Sequence, residues 1–180
     1  LDDDDTSVDD DDSGVGTDDD SSGDDDTGLA DDDTGDDDDS TDGCSAAITC
    51  NQDQDLGSAG DIQTAALCER IEGDLVFEPG LGVTHVELPC LQVVEGSVEM
   101  TANGAVQRLD MPALVGVVDY LLIEENSDLI HLGVPSLQTV GSYLWITENP
   151  ALTYFEMPSL YGVGSQIRIF CNETLESFDL

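Results

Sequence analysis

The sequence predicts an all-β protein, a parallel β-solenoid of about five 23-residue coils behind a short N-terminal capping helix. Three observations carry that reading. From Leu91 onward, Leu91, Leu114, Leu137 and Leu160 occupy one slot of a 23-residue register. Asn103, Asn126, Asn149 and Asn172 occupy a second slot, and Pro89, Pro112, Pro135 and Pro158 a third. Three unrelated residue types holding one spacing over four copies mark a repeat protein, in which each unit stacks on the last and cannot fold singly.

Residues 1–43 precede the repeat and are low in complexity. Aspartate blocks at 2–5, 9–12, 18–20 and 36–39 alternate with Ser, Thr and Gly, giving 22 aspartates and no basic group. So few apolar side chains leave nothing to offset chain entropy, and the segment is expected to be a disordered linker. As a flexible coil it would span roughly 35–40 Å r.m.s., and more once like charges repel. Tight calcium loops alternate their acids around a turn glycine and close with a glutamate. Consecutive aspartates lack that spacing, so only weak, non-specific calcium condensation on residues 1–43 is expected. No specific metal site and no cofactor follow from the sequence.

A cap over 44–67 comes next. Ser58 with Asp61 three residues on has the form of a helix N-cap, and Ile62, Ala65, Ala66 and Leu67 follow at helical spacing. Such a helix covers the open end of a stack. Cys50 and Cys68 flank it, and a bridge between them would pin it to the first coil. Cys44 and Cys90 form a second candidate pair, and Cys171 is left over. Spacing does not fix connectivity, so buried free thiols stay open as the alternative.

The coils fill 68–180, at about 68–90, 91–113, 114–136 and 137–159, with a partial coil from 160 that reads as truncated. Within each, a short strand alternates. Leu121 and Ile123 point one way, while Tyr120, Leu122 and Glu124 point the other. Leu75/Phe77, Val98/Met100, Leu144/Ile146 and Ile167/Ile169 repeat the inward pair. A second apolar group follows the turn (Leu129, Leu132, Val134), and the third side contributes Leu114 and Val117, then Leu137 and Val140. Three inward faces per coil give a roughly triangular section, with coils about 4.8 Å apart. An Asn at the corner after the strand is placed to bond the backbone of neighbouring coils as a ladder, so Asn103, Asn126, Asn149 and Asn172 are read as structural. The proline column marks another corner, where a fixed φ and a missing donor are tolerated.

The assembled phrase Leu-x-Ile-x-x-Asn-x-x-Leu-x-x-Leu-x-x-Pro-x-Leu-x-x-Val resembles the receptor L-domain repeat, over about residues 50–180. The best copies are 121–140 and 144–163. Departures are Gly80 in the Asn slot, Val106 in a Leu slot, and Asp119, Ser142 and Ser165 where Gly73 and Gly96 stand in earlier coils. The resemblance implies a right-handed β-helix and an extracellular or cell-surface location. L domains bind very different partners, so it implies binding without naming a ligand. The Asp-rich segment also looks like the linkers of bacterial surface lipoproteins, which implies an upstream lipid or cell-wall anchor.

Charge removes other classes of function. The chain has 180 residues, a formal charge of −39, no lysine, and arginine only at Arg70, Arg108 and Arg168. Nothing is present to neutralise a nucleic-acid backbone. No apolar run is long enough to cross a bilayer. The cysteines, without paired C-x-x-C spacing, fit disulfides in an exported protein better than zinc.

Two outward surfaces are candidates for chemistry. Glu87, Asp110, Gly133, Glu156 and Asp179 form an acidic column, beside a column of His85, Arg108, His131 and Tyr154. Stacked carboxylates are what a polysaccharide-active β-helix enzyme needs, but Gly133 breaks the column and no nucleophile motif accompanies it. No catalytic residue is assigned. The better candidate is the outward side of the alternating strand, where Tyr120 falls beside Tyr143, and Leu122 beside the only tryptophan, Trp145, with acids and Arg168 at the margin. An exposed aromatic cluster on a flat sheet suits a protein or glycan ligand. The same cluster would also arise if the aromatics only stabilise cross-strand pairing. The expected function is therefore a non-enzymatic binding or adhesion module. A structural or calcium-condensing surface-layer component is the alternative, and the polysaccharide-active enzyme is the third.

Overall fold

The structure is a computed structural model that describes Cys44 and residues 46–180. The linker and calcium readings of residues 1–43 lie outside the described residues.

Every strand pairing is parallel and joins one coil to the next, so the chain forms a β-solenoid with three sheets. The broad sheet contains Gln54–Leu56, Leu75–Phe77, Val98–Thr101, Leu121–Glu124, Leu144–Thr147 and Ile167–Phe170. The narrow sheet runs from Ile48–Cys50 and Cys68–Ile71 through the two-residue strands Val93–Val94, Gly116–Val117, Thr139–Val140 and Gly162–Val163. The third sheet contains His85–Glu87, Arg108–Asp110, His131–Gly133, Tyr154–Glu156 and Ser177–Asp179. Register is 23 residues throughout the regular part, with Leu121 opposite both Leu144 and Val98.

The number of turns is about six, one more than the repeat suggests, because the cap is itself a turn. Its strands Ile48–Cys50 and Gln54–Leu56 join the narrow and broad sheets, and the helix Ala59–Ala65 takes the third side. A helix there has no use for the Leu and Pro slots of the repeat, so the register is invisible in this turn. Ser58 Oγ accepts from Asp61 N at 3.3 Å, and Asp61 Oδ2 accepts from Ser58 Oγ at 2.7 Å and Gly57 N at 3.2 Å. These bonds satisfy N-terminal donors that a helix otherwise leaves unpaired. Ile62 and Ala65 face the core. Disulfides join Cys50 to Cys68 and Cys44 to Cys90, while Cys171 is free and exposed.

Inside, apolar columns run the length of the stack and are buried. Val98, Leu121 and Leu144 form one, Leu109, Leu132 and Phe155 another, and Leu114 and Leu137 a third. Burial ends at the last coil: Ile167 is 47% exposed and Phe178 53%, against 0% for their register mates Leu144 and Phe155.

The corner after the broad-sheet strand is held by asparagine. Asn126 Oδ1 accepts from Asn103 N at 3.0 Å, Asn149 Oδ1 from Asn126 N at 3.1 Å, and Asn172 Oδ1 from Asn149 N at 3.0 Å. Each side-chain amide donates to a carbonyl of the previous coil, as Asn126 does to Met100 O and Asn149 to Ile123 O, both at 3.0 Å. The residue before each Asn (Ala102, Glu125, Glu148, Cys171) has a φ between 54° and 58°. Side chains other than glycine are rare in that left-handed region, and the ladder is what holds them there.

Candidate functional site

The outward face of the broad sheet is built by strand alternation. Because Leu121 and Ile123 turn in, Tyr120, Leu122 and Glu124 turn out, and parallel register stacks them on their counterparts. The column before the strand is Ser97, Tyr120, Tyr143 and Gln166. The column through its second residue is Glu99, Leu122, Trp145 and Arg168.

The aromatic rings lie against each other. Tyr120 and Tyr143 are stacked, with centroids 4.7 Å apart and planes 6° from parallel. Tyr143 meets Trp145 at 4.3 Å with a 34° tilt, and the Arg168 guanidinium lies over the indole at 4.6 Å. Leu122 is the register neighbour of Trp145. These five residues form one continuous face. Tyr120, Leu122, Tyr143 and Trp145 are half-buried, while Arg168 is exposed. Trp145 Nε1 is buried without an acceptor among the described residues.

As the outward pattern predicts, carboxylates border the rings. Tyr120 Oη donates to Glu99 Oε2 at 3.2 Å, and Thr147 Oγ1 donates to Glu124 Oε1 at 3.0 Å. Burial raises the Tyr143 hydroxyl above the ordinary tyrosine value, and the charges of Asp119, Glu99 and Glu124 push the same way. Tyr120 is also raised, mainly by burial, with Glu99 adding to it and Ser97 opposing. The signal for Glu99 and Glu124 was their outward place in the register. What the sequence does not carry is the side-chain torsion that brings each to a hydroxyl.

The third sheet carries the acidic column. Its outward side holds a concavity of about 630 Å³ lined by His85, Glu87, Arg108, Asp110 and Glu156, among others. Arg108 Nε and Nη2 both donate to the Asp110 carboxylate, and His131 Nε2 lies 3.3 Å from Asp110 Oδ1. Gly133 is what makes room. A Cβ there would sit 2.5 Å from Asp110 Oδ1 and 3.0 Å from His131 Nε2. The glycine that interrupts the column in sequence thus lets Asp110 lie between two basic groups. Tyr154 Oη reaches Glu156 Oε2 at 3.4 Å. Among the described residues no group of three His, Cys, Asp or Glu side chains is arranged to hold a metal ion.

Fold and face together define a disulfide-capped parallel β-solenoid with an aromatic, acid-bordered sheet. Comparison with family models, curated proteins and solved structures finds no match. The two disulfides fit a non-reducing environment. No helix among the described residues is long and apolar enough to cross a membrane.

Proposed function

We propose that the chain is a non-enzymatic binding or adhesion module of the extracellular or cell-surface kind, related to the receptor L-domain repeats. In this reading it holds the broad sheet out to a protein or glycan partner on its Asp-rich segment, with a lipid or cell-wall anchor upstream. The observation that carries the proposal is the continuous face of Tyr120, Leu122, Tyr143 and Trp145 on rigid strands. Aromatic side chains on such a platform give large contact area at small entropic cost, as binding hot spots require. The resemblance of the coil phrase to L domains and the two disulfides support the location.

The test is a combined protein and glycan array probed with the intact chain and with Trp145→Ala and Tyr143→Ala, each checked for unchanged β-sheet circular dichroism. Captured partners are expected to be lost or weakened at least tenfold by one or both changes, the order of effect of a buried aromatic anchor. Capture that is indifferent to both changes would sink the proposal.

A further inference from the structure

Resting on that reading, we infer that the partner is a basic protein segment, whose Arg or Lys side chains are received by Glu99, Glu124 and the rim of the aromatic ladder. The charge bookkeeping of the face points there. The chain has three arginines, and two are spent on carboxylates, Arg70 on Glu95 and Arg108 on Asp110. The third, Arg168, lies over the Trp145 indole instead. Among the described residues neither Glu99 nor Glu124 has a cation within ion-pair distance. Both are half-buried, and each has one oxygen held by a neutral hydroxyl, of Tyr120 and Thr147 respectively. Two oriented, partly desolvated carboxylates without a counter-charge, with Asp119 close by, make a face that is complementary to positive charge.

Ring geometry argues against a sugar in this place. A pyranose stacks on an open aromatic face, but Tyr143 and Trp145 are each engaged by two neighbours. Tyr143 lies between Tyr120 and Trp145, and the indole lies against Tyr143 and Arg168. Leu122 and the half-buried rings lie on the same outward face as the two carboxylates. The aliphatic stem of an arginine or lysine packs on such a surface while its charged head reaches the carboxylates. Arg168 over Trp145 shows within the molecule that a guanidinium is accepted there.

The experiment uses the full chain and a fluorescent synthetic peptide of alternating Arg and Thr, with its citrulline counterpart, at physiological salt. The Arg peptide is expected to bind and the citrulline peptide not. Glu99→Gln with Glu124→Gln is expected to weaken binding about fivefold or more. Glu72→Gln with Glu87→Gln, which removes the same charge from outside this sheet, is expected to stay within about twofold. Equal losses in the two double variants would mean diffuse attraction to an acidic chain and overturn the inference, as would equal binding of the two peptides. If the Arg peptide fails while a glycan is captured and lost in Trp145→Ala, the inference falls and the binding reading stands. If neither Trp145→Ala nor Tyr143→Ala alters any capture, both fall.

Discussion

Asn149 shows how much a single residue does in this fold. Its Oδ1 accepts from Asn126 N and Nδ2, and its own Nδ2 donates to Ile123 O and Thr147 O, all within 3.1 Å and all buried or nearly so. Alanine at this position would take the acceptor from the buried Asn126 N–H and a donor from Ile123 O and Thr147 O, at about 1–3 kcal/mol for each group left unpaired before relaxation. Asn149→Ala is therefore expected to lower unfolding free energy by roughly 3–5 kcal/mol in urea titrations. A loss below about 1 kcal/mol would show that the ladder is ornamental. The Asn column was fully legible in the sequence, because it is a chemical identity repeated at fixed spacing. The left-handed backbone at Glu125 and Glu148 was not, because those slots hold Ala, Glu, Glu and Cys and share no side-chain property. Likewise, Gly133 read as a gap in an acidic column. Only the approach of Asp110 and His131 to its missing Cβ shows what the gap accommodates.

Each strand of the broad sheet has a buried side that fixes register and an outward side that register then arranges. Strand alternation made the membership of the outward face legible, down to Tyr120 beside Tyr143 and Leu122 beside Trp145. It did not make legible that the rings would close on one another, since that depends on side-chain torsions. Nor did it reveal the strands of the first turn, which lack the repeat's signature. The closed ladder has a titration consequence. Tyr120 and Tyr143 hold their protons more tightly folded than unfolded, chiefly through burial, with carboxylates adding. A neutral acid with a raised folded value contributes stability that is fully present below its unfolded value, here 10.0. That contribution is lost as pH rises from there through the folded value. The urea midpoint is accordingly expected to fall above about pH 10, and to fall less steeply in Tyr120→Phe/Tyr143→Phe. Absorbance at the tyrosinate band should show more late-ionising hydroxyls in the wild type than in the double variant, which keeps only that of Tyr154. Superimposable pH profiles for the two proteins would contradict the ladder's desolvation.

On the scale of the whole molecule, a solenoid is a one-dimensional stack whose stability is set coil by coil and interface by interface. Its two described ends differ. The first turn is closed by the helix Ala59–Ala65 and tied by Cys50–Cys68 and Cys44–Cys90, whereas the last coil leaves Ile167 and Phe178 about half exposed. The Cys50–Cys68 bridge spans 18 residues, a loop whose closure restricts the unfolded chain by about 3 kcal/mol. In a globular domain that loss would be shared by every residue through cooperative unfolding. In a stack it should be local, because the middle coils keep both of their neighbours. Cys50→Ser/Cys68→Ser is thus expected to collapse amide hydrogen-exchange protection in Ile48–Cys50, Gln54–Leu56 and Cys68–Ile71. Protection in Leu121–Glu124 and Leu144–Thr147 should stay close to wild type. A uniform fall across all of these strands would mean that the coils unfold as one unit, and that their interfaces are stronger than the bridge that closes the end.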